Sequence, residues 1–533
     1  MPQADLIILN ARAWTADPAA PGAEAVAVRG ERIALVGTNR EALGVRGPAT
    51  RVVDAAGCTL LPGIIDSHYH LLRGSLKLDG VRLGEAASFD KVARAVRAYA
   101  GAHPDVPWLA GYGVRYQALD GARQPFRSAL DDLCPERPLL IFAFDGHTAW
   151  ANTRALELGG LLRGGDPGAG SEIVLGDDGL ATGELREPGA FGPLQALVPS
   201  PSAARARELL REGVAQASAL GITSVHNMDG DMAQLELYRS LEAAGELTLR
   251  VYVPYSVEPH TRPEDLAEAA EMRRVAAGPL VRAGAAKFFM DGVAEGFTAL
   301  LLDDYPGRPG HRGDAFYTAE HFSRMAAACD RLGLQIVVHA IGDAAVRRTL
   351  DGLQAAREAN GPRDSRHRVE HIELIHPDDL PRFRELGVIA SVQPYHAPVP
   401  PGYGPVWLER VGRERWRHSF AWADLRDAGA HLAFGSDWPV VSQSPWLGLH
   451  AAVARCPWAP GLPSQAVSLD EALRAYTSGA AYAEHQEREK GVLRAGMLAD
   501  LVLLDCDLAA SPPDGLAETR ALLTVCAGRV VHS

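Results

Sequence analysis

Cysteine is scarce in this chain of 533 residues. The six cysteines (Cys58, Cys134, Cys329, Cys456, Cys506, Cys526) are scattered, and none forms a C-x-x-C pair. That excludes a dense disulfide framework and suits free thiols in a reducing compartment. Basic residues are also short: 53 Lys and Arg stand against 66 Asp and Glu, a net charge of -13. A nucleic-acid partner would want a basic face, and an anionic membrane would repel this one. No apolar run is long enough to span a bilayer. Met1-Pro2-Gln3-Ala4-Asp5 has neither the basic nor the apolar stretch of a signal peptide. The expectation is a cytoplasmic protein with no nucleic-acid or membrane partner. No internal repeat or long low-complexity tract is visible.

What is present is an ordinary folded composition, 47% hydrophobic and 22% charged. The length exceeds one ordinary domain and suits a large barrel with additions. Residues 1–60 read as short strands. They include 5–11, a hairpin over 25–37 with Arg29-Gly30-Glu31 near its turn, and 51–54. Residues 486–533 have the same texture, with strands at 499–505 and on either side of Ala527-Gly528. Two small β pieces at opposite chain ends can complete one β-sandwich. Between them, over 61–485, strands alternate with helical patterns. Eight strands are read at 61–66, 221–226, 249–254, 284–289, 335–339, 367–371, 388–392 and 431–436. The fold class is therefore α/β, a distorted TIM (β/α)8 barrel whose site lies at the strands' C-terminal ends. Residues 73–205 form an insertion that shapes or caps the pocket. It holds a strand-like 139–144 and a Gly-rich stretch near 164–170.

The stretch Leu61-Pro62-Gly63-Ile64-Ile65-Asp66-Ser67-His68-Tyr69-His70 stands out. Residues two apart on a strand share a face, so His68 and His70 aim two imidazoles at one point. A polar strand end with two solvated histidines has the same sequence, so the later strand ends matter. The fourth carries Lys287, followed by Asp291-Gly292. The fifth ends in His339, the sixth in His371 and the eighth in Asp437. Taken singly, His339 or His371 reads as a hydrogen-bonded structural histidine, Lys287 as a snorkelling surface lysine, and Asp437 as a turn or cap residue. Jointly, four histidines, one lysine and one aspartate would meet at one barrel mouth. Imidazole and carboxylate without thiolate suit zinc or another divalent transition metal. A neutral lysine amine can take up carbon dioxide as a carbamate, whose two oxygens can bridge two metals. An ammonium would repel them.

At this point the chain resembles the amidohydrolase superfamily, and within it the amidohydrolase-3 or YtcJ-like group that includes N-substituted formamide deformylases. The resemblance runs over nearly the whole chain. Its motifs are Gly63-Ile64-Ile65-Asp66-Ser67-His68-Tyr69-His70, Gly146-His147-Thr148-Ala149-Trp150-Ala151-Asn152, Lys287-Phe288-Phe289-Met290-Asp291-Gly292, Val338-His339-Ala340-Ile341-Gly342-Asp343, Arg368-Val369-Glu370-His371, Ser391-Val392-Gln393-Pro394-Tyr395-His396, Gly435-Ser436-Asp437-Trp438-Pro439-Val440 and Leu498-Ala499-Asp500-Leu501-Val502. The resemblance implies a distorted barrel with a split β-sandwich. It implies one or two zinc ions held by His68, His70, carbamylated Lys287, His339, His371 and Asp437, and a homodimer. One departure is Val293-Ala294-Glu295-Gly296-Phe297-Thr298-Ala299, where the family has small residues and a Ser-Arg-Thr-Ala-like end. That segment should face the substrate.

The expected reaction is metal-dependent hydrolysis of a C–N bond in a small-molecule amide by an acidified water. Asp437 would take the proton from that water and pass it to the leaving nitrogen. His147 and His396 are candidates for steadying the oxyanion or leaving group, with loop histidines as the plain alternative; His226 is a weaker candidate. Trp150, Asp291, Phe297, Tyr395 and Trp438 are candidate substrate contacts. Trp108, Tyr112, Tyr116 and Phe288 share the same regions, although aromatic residues are as common in cores as in pockets. Two rivals stand beside this reading. A mononuclear deaminase of a cyclic substrate would lack the bridging lysine and carry a Glu soon after the fifth-strand histidine, where Asp343 is the nearest carboxylate here. A non-catalytic scaffold would be expected to have lost ligands.

Overall fold

A computed structural model of the chain describes residues 3–84, 86–119, 122, 126–144, 146, 148–168, 171–276, 278–397 and 405–533. They divide into two compact units, Met1–Leu71 with Val214–Ser533, and Leu72–Gly213.

The larger unit is built on eight parallel strands: Ile64–Tyr69 (β1), Ile222–Asn227 (β2), Arg250–Ser256 (β3), Val281–Phe289 (β4), Gln335–Ala340 (β5), Arg368–His371 (β6), Ile389–Val392 (β7) and His431–Phe434 (β8). They lie side by side in chain order, and each neighbouring pair is parallel. Helices such as Met232–Ala243, Ala319–Arg331 and Asp343–Asn360 make the crossovers. β1 and β8 nearly close the ring. Tyr69 bridges Trp438 in parallel, and Asp437 N–H donates to the His68 carbonyl at 2.7 Å. This approach needs a glycine. A Cβ on Gly435 would sit 2.4 Å from the His68 nitrogen. Buried Asp66 strengthens the same seam, accepting from the Ser436 amide at 2.9 Å.

The first barrel strand differs from the expected 61–66. Thr59–Pro62 belongs to another sheet, where Leu61 pairs with Val502, and the barrel strand begins at Ile64. Gly63 is the break: its amide donates to Asp500, and a Cβ there would lie 2.2 Å from Thr223 Oγ1. The one apolar run thus serves two sheets.

Two further sheets draw on the chain ends. One has four strands in the order Arg32–Gly37, Ala25–Arg29, Ala4–Leu9, Arg46–Asp54. The other has six, in the order Arg529–His532, Ala521–Cys526, Leu501–Leu504, Thr59–Pro62, Arg12–Trp14, Gly22–Ala23. Leu6, Val26 and Ile33 of the first share one apolar core with Leu60, Leu501 and Val525 of the second. The C-terminal strands are tied to the barrel by a buried ion pair. Asp500 Oδ2 accepts from Arg250 Nε at 2.7 Å and Oδ1 from Arg250 Nη2 at 3.0 Å. Removing one partner leaves the other buried and unpaired, which costs about 3–5 kcal/mol. Asp500→Ala is therefore expected to lower the unfolding free energy by that margin in a urea titration, and an unchanged unfolding free energy would contradict it.

The smaller unit holds a six-stranded sheet in the order Glu172–Leu175, Ala181–Arg186, Thr148–Ala151, Leu139–Ala143, Leu109–Val114, Val81–Arg82. Its cores take in Trp108 and Trp150, and Tyr112 stacks on Phe142 at 5.4 Å. Among the described residues, no helix is long and apolar enough to cross a membrane.

Candidate metal centre

The ends of β1, β4, β5 and β6 and the turn after β8 bring six side chains into one buried cluster. His68 and His70 leave β1 two residues apart and face the same carboxylate. Their Nε2 atoms lie 3.4 and 3.1 Å from Asp437 Oδ1. The His371 ring stands 4.7 Å from that of His68 and 4.5 Å from that of His339. Lys287 is fully buried on β4, with Nζ 4.7 Å from the Phe289 ring centre. His339 Nε2 lies 3.2 Å from the Gly292 carbonyl.

Backbone conformation places two of these groups. His371 and Asp437 both have left-handed backbone, with φ of 73° and 63°. Strand alternation sends Arg368 and Glu370 into the barrel and would turn His371 away. The left-handed step brings it back. Such a conformation is costly for a side-chain-bearing residue and gathers where function needs it.

Carboxylates set the orientation of the imidazoles. Glu370 Oε2 lies 2.7 Å from His68 Nδ1, and Asp229 Oδ2 lies 2.6 Å from His70 Nδ1. An ionised carboxylate only accepts, so each Nδ1 carries the proton and each Nε2 offers its lone pair to the cluster. Glu370 is itself held at 2.8 Å by Arg368 Nε. Burial opposes its charge, yet Arg368 and His68 hold it down to about 2. Arg368 also meets His226 Nδ1 at 2.7 Å, and His226 continues to Glu484 at 3.3 Å. His226 thus belongs to the polar chain beneath the cluster.

Charge in the cluster is unbalanced as it stands. Burial drives His68 down to about 4 against the pull of Asp437 and Glu370. Burial, with Lys287 nearby, takes His339 to about 3, and burial with its histidine neighbours takes His371 well below the usual range. Burial lowers Lys287 to about 8. Asp437, although buried, is kept well below the carboxylate range by His68, His70 and His371. Neutral His68 therefore turns a lone pair toward an ionised oxygen. Among the described residues, Asp437 Oδ1, His371 Nδ1 and Lys287 Nζ are buried without a hydrogen-bond partner. His68, His371 and Asp437 each offer an atom within 4.8 Å of the others. Burial opposes charge on His70, but Asp229 and Asp437 raise its pKa. His68, His371 and Asp437 converge as acceptors with no proton between them, which fits a divalent cation, and the imidazole and carboxylate donors suit one.

The other candidates fall into distinct places. His396, in the turn Pro394–His396 after β7, sets Nε2 3.6 Å from Asp437 Oδ2 and Nδ1 3.6 Å from Glu373 Oε1. Tyr395 is half-buried in the same turn. Trp438 packs on Tyr69 with ring centres 5.0 Å apart. Asp291 is fully buried, and its oxygens accept from the amides of Leu300, Ile341 and Gly342 at 2.8–3.0 Å. It anchors the loop after β4. Phe288 is enclosed by Tyr317 and Phe322, on the core side of β4. Phe297 is half-buried in the loop after β4. Trp150 lies in the smaller unit, in the strand Thr148–Ala151, beside Tyr116. His147 lies outside the described residues. Sequence reasoning left out Glu370, Asp229 and Glu373. Glu370 had a signal, an acid two residues from an arginine on a short buried strand. Asp229 and Glu373 sit in loops, where no periodicity marks them.

A parallel barrel carrying a histidine–aspartate cluster at its C-terminal strand ends is the architecture of the metal-dependent barrel hydrolases. The model of the amidohydrolase family matches residues 51–532, and the chain belongs to that family. It is 30% identical to the N-substituted formamide deformylase of Arthrobacter pascens, over 98% of this chain and 97% of that one. It is 30% identical to Protein LONG AFTER FAR-RED 3 of Arabidopsis thaliana, over 94% and 87%. The crystal structure of an uncharacterized metal-dependent hydrolase from Pyrococcus furiosus superposes with a TM-score of 0.73 and 26% identity, over 95% of this chain and 99% of that one.

Proposed function

We propose that the protein hydrolyses the C–N bond of a small N-formyl or N-acyl amine with an apolar or aromatic part. The observation that carries this is Asp437. One of its oxygens faces the Nε2 atoms of His68 and His70, and the other faces His396. His68, His70, His339, His371, Asp437 and Lys287 would hold one or two zinc ions, with Lys287 as a carbamate. Zinc supplies Lewis acidity, polarising a carbonyl and acidifying a water.

The chain's own groups do the rest. Asp437 accepts the water's proton at Oδ2 and returns it to the leaving nitrogen. His396, steadied by Glu373 at Nδ1, holds the group at Nε2 that carries charge in the transition state. Glu370 and Asp229 keep the two β1 imidazoles in the tautomer that leaves Nε2 free. Tyr395 and Trp438 present aromatic surface to the apolar part. In the same reading the enzyme is a cytoplasmic homodimer, and the two terminal sheets form one small β-sandwich. The dimer rests on the family resemblance, the compartment on the six free cysteines, and the sandwich on the shared core.

The test is a substrate panel with zinc-loaded protein: N-formyl and N-acetyl amines, cyclic amidines and aminopyrimidines. Formate or acetate release from the first group is expected. Ammonia release from the cyclic group alone would replace this reading with a deaminase.

A further inference from the structure

The loop that follows β4 carries an arrangement the hydrolytic chemistry does not use. Val293–Thr298 turns back on itself, with the Thr298 amide donating to Val293 O at 3.1 Å and Gly292 N donating to Thr298 O at 3.2 Å. It presents Phe297 from left-handed backbone, φ 62°. Two guanidinium groups stack on that ring. Arg308 Cζ lies 3.4 Å and Arg410 Cζ 4.3 Å from the ring centre. Both are held by the ring's negative quadrupole.

Neither arginine has a carboxylate partner among the described residues, which is unusual for its surroundings. Arg312 is paired with Asp304 at 2.8 Å and Arg415 with Glu414 at 3.2 Å. Glu295, the acid of the loop, acts on His396 and Tyr305. Arg410 is half-buried, and its Nε is buried with no acceptor among the described residues. A sequestered donor without a partner needs an explanation.

Both supports of this group reach the metal centre. Gly292, at the start of the loop, touches His339 through its carbonyl. Arg410 sits one turn beyond Trp407 on the helix Pro405–Val411, and Trp407 Nε1 donates at 2.7 Å to Glu373, the partner of His396.

We infer that Arg410, oriented by Phe297, reads an anionic group on the substrate, so that the preferred amide carries a carboxylate: an N-acylated amino acid. Arg308, exposed beside the same ring, adds long-range attraction for the same charge. The assignment rests on the amide-hydrolase reading, and the experiment separates the two.

Zinc-loaded wild type, Arg410→Ala and Arg410→Lys are assayed on N-formylphenylalanine, both enantiomers, and on N-formylphenethylamine, which lacks only the carboxylate. Wild type is expected to favour the acid in kcat/KM. Losing a charge-assisted fork shrinks that preference about 10- to 100-fold in Arg410→Ala, with Arg410→Lys between. A preference that stays within twofold of wild type overturns the inference, as does a wild type indifferent to the carboxylate. Calorimetric titration with 3-phenylpropanoate and 3-phenylpropanol decides even without turnover. Tighter binding of the acid, lost in Arg410→Ala, supports the inference. Binding of the acid that is unchanged in that variant places its carboxylate elsewhere, the metal included. No turnover of any amide, with Arg410-dependent binding of the acid, removes the hydrolase reading and leaves the anion site.

Discussion

Asp437→Asn is expected to lower kcat on an N-formyl amine by about 10³-fold, the scale of a lost general acid–base group. The substitution keeps the size and one carbonyl oxygen. That oxygen can still face His68 and His70, from which Oδ1 now stands 3.4 and 3.1 Å away. What goes is the negative charge and the capacity to take a proton beside His396, 3.6 Å from Oδ2. Substrate binding depends on other groups, so KM should move much less than kcat. Metal content, measured on the same preparation, separates the two roles of this residue. Metal retained with turnover lost assigns Asp437 to proton transfer. Full turnover with metal retained removes it from the chemistry.

Lys287→Ala is expected to reduce bound metal from near two per chain to one or none. Activity should fall about 100-fold or more, at or beyond the upper end for losing a group that only supports a ligand. Lys287 is fully buried, and its Nζ has no hydrogen-bond partner among the described residues. Burial brings the ammonium down to about 8. Only the neutral amine attacks carbon dioxide, and its fraction rises with pH. Near pH 7 about one molecule in ten is already neutral, against fewer than one in a thousand for an ordinary lysine. Carbamate formation, followed by ¹³C NMR with labelled bicarbonate, should increase as pH rises through about 8 and be absent in Lys287→Ala. A metal content and a carbon signal that the substitution leaves unchanged would point to a mononuclear site.

The strand ends could be read from the sequence because periodicity carries them. Val338-His339 and Val369-Glu370-His371 close apolar runs, and each run became a parallel barrel strand. Periodicity could not show two things. One is the break at Gly63, where Thr223 leaves no room for a side chain and one apolar run splits between two sheets. The other is the left-handed backbone at His371 and Asp437, which overrides the alternation that would aim His371 elsewhere. Asp291 shows the reverse. Its place in a motif suggested a pocket residue, whereas its oxygens are taken by the amides of Leu300, Ile341 and Gly342. Glu373 and Asp229 touch His396 and His70 from loops distant in sequence, and only folding brings them there.

The most direct measurement is turnover of N-formylbenzylamine by chelator-stripped protein during titration with zinc. A metal-dependent hydrolase predicts no turnover at the start and recovery in proportion to bound zinc, ending at one or two ions per chain. Undiminished turnover in the metal-free protein would contradict it.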